Sequence, residues 1–391
     1  MADFIVENGI LTKYDGPGGD VVIPDGVTAV GDNAFAWCRT VTDIQIPDSV
    51  TAIGRRAFFW CTELQRIRIP EGIRTVHGGA FAFCGSLTEV QLPDSLRVIG
   101  NSAFMGCRKL TDIQIPGQVN TVGYSAFGSC TGLTSIHLPD SITRLADRIF
   151  EKCMSLMQVR LPDRISCIGN GMFEYCESLT DIRIPDGVTS IGYRAFRNCT
   201  GLTAVRLPDS ITDIGECAFE CCTELSKVVL SERLTSISNN AFEGCMHLEY
   251  IRIPDRVTRI GRNTFDACWN MKRLVAPGIS FDQYTTQALR RCAVAGFIGN
   301  QTLYTNPDII AAYRKYILNQ KRYILPTLFK EDRVDGIAFY AENKGITAKN
   351  FEKEFLSPAV DAKAHQCIAY LLNWRYEHMQ GEQSVEDLFS L

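Results

Sequence analysis

The chain has 391 residues, 46% of them hydrophobic and 21% charged, with a formal net charge of −4. This balance excludes a disordered polyelectrolyte, and so small a net charge offers no general field for nucleic acid or an anionic membrane surface. A basic start leading into an apolar run is absent, as is any apolar stretch near ~18 residues, which predicts a cytoplasmic protein without a membrane span.

Residues 1–23 precede a repeat that begins at Pro24 and continues at Pro47, Pro70, Pro93, Pro116, Pro139, Pro162, Pro185, Pro208, Ser231 and Pro254, a constant step of 23. Eleven residues after each of these stands Phe, from Phe35 to Phe265, and fourteen after stands Cys, from Cys38 to Cys268. A fixed period without insertions marks a repeat array, here spanning 24–276 in eleven units. Within one unit, Ile44 and Ile46 have the alternation of a short strand with one buried face. Pro47 ends that strand because it has no N–H to continue a ladder. Val50 and Ile53 then point inward, and Gly54 permits a turn. Ala57, Phe58, Cys61 and Leu64 follow at helical spacing, which predicts a short helical or 3₁₀ segment. No single unit can bury this apolar surface alone, so the Phe residues are expected to stack from rung to rung.

These residues resemble the BspA-like leucine-rich repeats of bacteria, whose unit has the form P-x-x-V-x-x-I-G-x-x-A-F-x-x-C-x-x-L. The resemblance implies an α/β repeat solenoid: a leucine-rich-repeat horseshoe with parallel concave strands and short convex helical segments. It also identifies 1–23, from Phe4 through Ile23, as an N-terminal cap hairpin, and it implies a role in binding. Described members are adhesins and surface interaction proteins. Gly16-Pro-Gly-Gly19 lies inside the hairpin and reads as a turn.

Eleven of the sixteen cysteines form the repeat column. Parallel rungs lie ~4.8 Å apart with side chains pointing the same way, whereas a disulfide needs Cβ atoms ~3.8 Å apart and aimed at each other. The column therefore reads as a ladder of buried free thiols acting as small hydrophobes, suited to a reducing compartment. A straight column cannot surround a tetrahedral metal either. Cys217, Cys221 and Cys222 form a local cluster that offers a weak metal or redox signal.

After Pro277 the repeat gives way to helical periodicity, and 277–391 is expected to be a helical capping domain that covers the last rung. Pro307-Asp308 reads as a helix start, and Pro326 as a break or a new start. Further helices are predicted over 333–342, 347–355 and 359–378. Residues 384–391 carry a capping-box-like start and an acidic-apolar pattern.

Chemistry-bearing motifs are absent. The five histidines are scattered, and there is no H-E-x-x-H, no P-loop and no G-x-G-x-x-G after a strand. The expectation is a monomeric, non-enzymatic scaffold that binds a protein partner, with no cofactor, metal, nucleic acid or membrane. A structural protein and a carbohydrate- or ligand-binding module are the alternatives. Two surfaces are candidates for the partner. The first is the strand face, where the residue between the two aliphatics points outward. That column is Gln45, Arg68, Gln91, Gln114, His137, Arg160, Arg183, Arg206, Val229, Arg252 and Val275, with Tyr250 beside it. Arg160, Arg183 and Arg206 occupy consecutive rungs, where like charges need relief. Relief comes either from the acid three residues on, as in Arg160 with Asp163, or from an acidic partner. The second candidate is an aromatic patch beyond the column Phe in the first repeats: Trp37, Phe59, Trp60 and Phe83. Later repeats mostly put polar or small residues, such as Gly106, Ser129, Lys152, Asn198 and Gly244, in the slot of Trp37, Trp60 and Phe83.

Overall fold

The computed structural model describes residues 3–379, in two compact units, Met1–Met271 and Lys272–Leu391. The expectation for residues 384–391 lies outside the described residues.

The first unit is a solenoid in which each early repeat supplies two short strands. It opens with an antiparallel hairpin of β1 (Phe4–Glu7) and β2 (Ile10–Tyr14), with Phe4 opposite Tyr14. β3 (Gly19–Val22) then starts a parallel ladder with Val41–Gln45, Arg66–Arg68 and Glu89–Gln91, built from the aliphatic pair before each Pro. A second parallel ladder follows the Pro turn. It joins β2 to Ala29–Val30, Ala52–Ile53, Thr75–Val76, Val98–Ile99 and Thr121–Val122. The first ladder is discontinuous, because no strand forms at 111–115 or 180–184.

The helical segments expected after the Gly turn are absent; these stretches are turns. Alternate N–H groups bond to the next rung, while those between them bond back within their own turn, as Ala36 does to Asn33 and Cys38 to Phe35. Asn33, Phe35 and Trp37 donate to the carbonyls of Arg55, Ala57 and Phe59, and the same step recurs along the array. Reaching outward with alternate N–H groups requires left-handed backbone at two slots per rung. Asn33, Arg56 and Ser102 fill one slot (φ 58°, 53° and 52°), and Trp37, Trp60 and Phe83 the other (φ 68°, 62° and 63°).

Ten successive Phe–Phe pairs stack along the core from Phe35 to Phe265, with ring centres 5.1–6.0 Å apart. All sixteen cysteines are free. From Cys61 to Cys268 each column thiol donates to the carbonyl of the Phe in the preceding rung, as Cys130 does to Phe104 at 3.1 Å. The same carbonyl accepts the N–H of its own rung's Cys, as Phe104 O does from Cys107. A column residue here needs a small apolar body and one donor, which Cys alone combines in that size.

The second unit contains the strand Arg273–Val275 and seven short helices, among the described residues. α1 (Gln287–Ile298) is capped by the Thr286 hydroxyl, and its Gly296 lies where a Cβ would meet the Leu274 carbonyl at 2.1 Å. α2 (Pro307–Asn319) begins at the expected Pro and is capped by Asn306. α3 (Lys321–Lys330) runs through Pro326 instead of breaking there. α4 (Val334–Glu342) corresponds to the helix expected over 333–342. α5 (Ala348–Asn350) continues as a π-helical turn, Phe351–Leu356, into α6 (Ser357–Asp361). The helix expected over 359–378 is therefore split. Lys363 takes φ 55°, and α7 (His365–His378) starts afresh, its first N–H groups received by the Asp332 carboxylate.

Candidate functional site

On the strand face of the array, alternation places the column side chains outside. Gln45, Arg68, Gln91, Gln114, His137, Arg160, Arg183, Arg206 and Val229 are exposed, and Arg252 is half-buried. Val275 departs from the expectation: it lies in the second unit and is fully buried. Tyr250 is 47% exposed.

At the N-terminal end of this face is a groove of about 630 Å³ whose two arginines are each paired with an acid, while Asp25 and Glu89 leave its lining net acidic. Arg66 pairs with Asp43 at 2.9 Å and Arg68 with Asp48 at 3.2 Å. Farther along, His137 and Arg160 are cross-strand neighbours in direct contact. Arg160 pairs with Asp140 of the preceding rung at 2.9 Å, not with Asp163 three residues on. The reason is reach: a side chain leaving the strand lies over the Pro turn of the neighbouring rung. The N–H of Asp163 and the Arg160 guanidinium together hold the Asp140 carboxyl below its ordinary pKa. Arg252 likewise reaches back to Glu232 at 2.6 Å, and also meets Asp255 at 3.3 Å.

Arg183 and Arg206 differ. Both are exposed, and among the described residues neither has an ion pair within 4.0 Å. Arg183 falls where the ladder lapses, while Arg206 ends the strand Ala204–Arg206, opposite Val229. The sheet thus does not present the three arginines as one continuous hydrogen-bonded ladder.

On the turn face of the array, Trp37, Phe59, Trp60 and Phe83 come together. Trp37 stacks on Trp60 with ring centres 5.0 Å apart, and Trp60 on Phe83 at 5.0 Å. Phe59 meets Trp37 and Phe83 edge-on at 5.6 and 5.7 Å. Trp37 is 53% exposed and the other three are half-buried. The Arg39 guanidinium lies 5.1 Å from the Trp37 ring centre and 5.6 Å from that of Trp60. Arg56 covers Phe59 at 5.4 Å.

A third cluster was missed from the sequence. In the slot of Phe59, later rungs carry Glu174, Arg197 and Glu220, and Arg197 joins both acids, at 3.2 and 2.9 Å. It also donates to the Tyr175 hydroxyl. Burial would raise the Glu220 carboxyl, but hydrogen bonds from Arg197 and Cys217 outweigh it and hold the pKa low. Burial and Glu220 push the Cys217 thiol up to about 12. The acid–base–acid order in one column at the repeat period was the available signal. Of the local cysteine cluster, Cys222 is a column thiol bonded to the Phe196 carbonyl, and Cys217 faces Glu220. Among the described residues no group of three or more His, Cys, Asp or Glu is placed to hold a metal, and no helix is long and apolar enough to cross a membrane.

The family model described as BspA type leucine rich repeat region, in six copies, matches residues 28–157, 97–220 and 145–272, together more than half of the chain. Among solved structures, the T. pallidum leucine-rich repeat protein TpLRR is 38% identical over 44% of this chain and 83% of its own, with a TM-score of 0.42. A leucine-rich cell surface protein of Faecalibacterium prausnitzii is 28% identical over 71% of this chain and 87% of its own, with a TM-score of 0.44. The pneumococcal vaccine antigen PcpA is 20% identical over 71% and 81%, and its TM-score of 0.53 shows a shared fold. No match was found among curated proteins.

Proposed function

The chain belongs to the BspA-type leucine-rich repeat family, and from that premise we propose that it is a non-enzymatic scaffold whose strand face binds an acidic surface of a protein partner. The observation that carries this reading is the unequal treatment of one column. Arg68, Arg160 and Arg252 are matched by acids one rung back. Arg183 and Arg206 stand exposed without an ion pair among the described residues. Exposed guanidinium groups are weakly hydrated and present a planar fork suited to carboxylates. His137 and Arg160 on one side, and Tyr250 and Arg252 on the other, would extend the contact. A reducing, cytoplasmic setting suits the thiol column, since pairing any two of its members would remove donors from Phe carbonyls. The helical unit is proposed as the cap: the last aliphatics of the repeat, Leu274 and Ala276, are fully buried within it.

The test is the triple variant Arg160→Gln, Arg183→Gln, Arg206→Gln in affinity capture from the native host across a salt series. The expected result is weaker capture with a flatter salt dependence and a melting temperature within about 2 °C of the parent, as for exposed charges. Unchanged capture with a shifted melting temperature would make the stripe structural and end the binding proposal.

A further inference from the structure

The aromatic patch on the turn face occupies a backbone slot that resists aromatics. Trp37, Trp60 and Phe83 all take φ between 62° and 68°. That left-handed region suits Gly and Asn and is an outlier for bulky side chains. Elsewhere the same slot holds Gly106 (φ 75°), Ser129 (58°), Lys152 (62°), Tyr175 (63°), Asn198 (58°), Cys221 (58°), Gly244 (71°) and Ala267 (54°), with a single aromatic among them. The first three rungs therefore differ in placing large rings in this slot on consecutive rungs, which the later rungs do not repeat. Strained conformations of this kind concentrate at functional sites.

The surroundings say what such a surface would accept. Arg39 and Arg56 border the rings, both exposed, and among the described residues neither has an ion pair within 4.0 Å. Of the nearby acids, the Asp32 carboxylate is engaged with the Arg55 backbone N–H, and Glu63 is exposed. The rings stack on one another, so they offer edges and crevices more than open faces, which disfavours a flat sugar ring. The patch closes at Gly106, where a Cβ would lie 2.7 Å from the Phe83 ring.

We propose that Trp37, Phe59, Trp60 and Phe83, framed by Arg39 and Arg56, form a second docking surface, for a peptide segment of a partner protein in which carboxylates flank large apolar side chains. The apolar side chains lodge between the ring edges, and the carboxylates meet the unpaired guanidinium groups. This surface is on the turn face and acts independently of the strand-face arginines.

The probe is a fluorescein-labelled decapeptide made of Glu, Leu and Phe, with two counterparts, one with Lys for Glu and one with Ser for Leu and Phe. Binding is read by anisotropy on the full chain. The parent should bind the first probe at least ~10-fold more tightly than either counterpart. The variant Trp37→Asn, Trp60→Asn, Phe83→Asn should lose at least ~10-fold in affinity. Its melting temperature should equal or exceed the parent's, because Asn is the residue that Asn198 already supplies in this slot. A second variant, Arg39→Gln with Arg56→Gln, leaves the three stacked rings in place and should weaken binding and flatten its salt dependence. No binding of the acidic probe, equal binding of the Lys counterpart, or unchanged affinity in either variant overturns the proposal. So does sedimentation showing self-association that the Asn variant abolishes, since the occupant would then be a second copy of this chain.

Discussion

The array and the helical unit reach stability by opposite means. In the array one set of contacts is copied from rung to rung: a Phe ring on a Phe ring, a thiol on a Phe carbonyl, a turn N–H on the next rung's carbonyl. In the helical unit each polar anchor is made once. The Tyr313 hydroxyl donates to that of Tyr284 in a buried pair, and the Tyr340 hydroxyl to the Ile317 carbonyl. Arg333 grips Asp335 through two nitrogens, and the Asp332 carboxylate caps α7 from a distant segment. Repetition makes every central rung equivalent, whereas singularity makes each helical anchor indispensable.

The largest expected effect tests the equivalence. Phe127→Ala should cost about 3–5 kcal/mol in denaturant unfolding, and Phe196→Ala the same within ~1 kcal/mol. A wide gap between them would show that the rungs are not interchangeable. Next comes the singular side. Arg333 is 8% exposed, and Arg333→Ala leaves the Asp335 carboxylate without its partner at a cost of about 3 kcal/mol. A loss below ~1 kcal/mol, measured the same way, would mean that the helical unit is as tolerant as a surface. The smallest effect concerns the thiol column. If Cys130 acts as donor as well as filler, Cys130→Val, which fills the space without a donor, should destabilise by about 1–2 kcal/mol more than Cys130→Ser. The reverse order would return the column to a purely apolar role.

What the sequence made legible follows the same division. A signal copied eleven times averages out local noise, so the stacked Phe column, the strand before most of the Pro residues and the free thiols could all be anticipated. Periodicity could not show where hydrogen bonds go. Ala57, Phe58 and Cys61 have helical spacing, yet their segment is a turn because alternate N–H groups, those of Arg56, Phe58 and Trp60, serve the next rung. For the same reason the thiols were read as hydrophobes and their bond to the Phe carbonyl was missed. The left-handed slot under Trp37, Trp60 and Phe83 was equally hidden, although Gly and Asn in the later rungs hinted at it. Arg160 was matched to Asp163 by nearness in sequence, while the solenoid brings Asp140 closer. In the helical unit no element is repeated, and the split near Lys363 carries neither Pro nor Gly to announce it.

The bonds that step about one rung along the chain also set its folding kinetics. The turn N–H groups of the array bond partners 22 residues away, and the thiols reach 26. Against a length of 391, such separations correspond to a relative contact order of about 0.06, at or below the low end of helical bundles and far from β-sandwiches. The strand-and-turn array should thus form through contacts as local as those of a helical protein. Growth from any formed pair of rungs needs the closure of one short loop at a time.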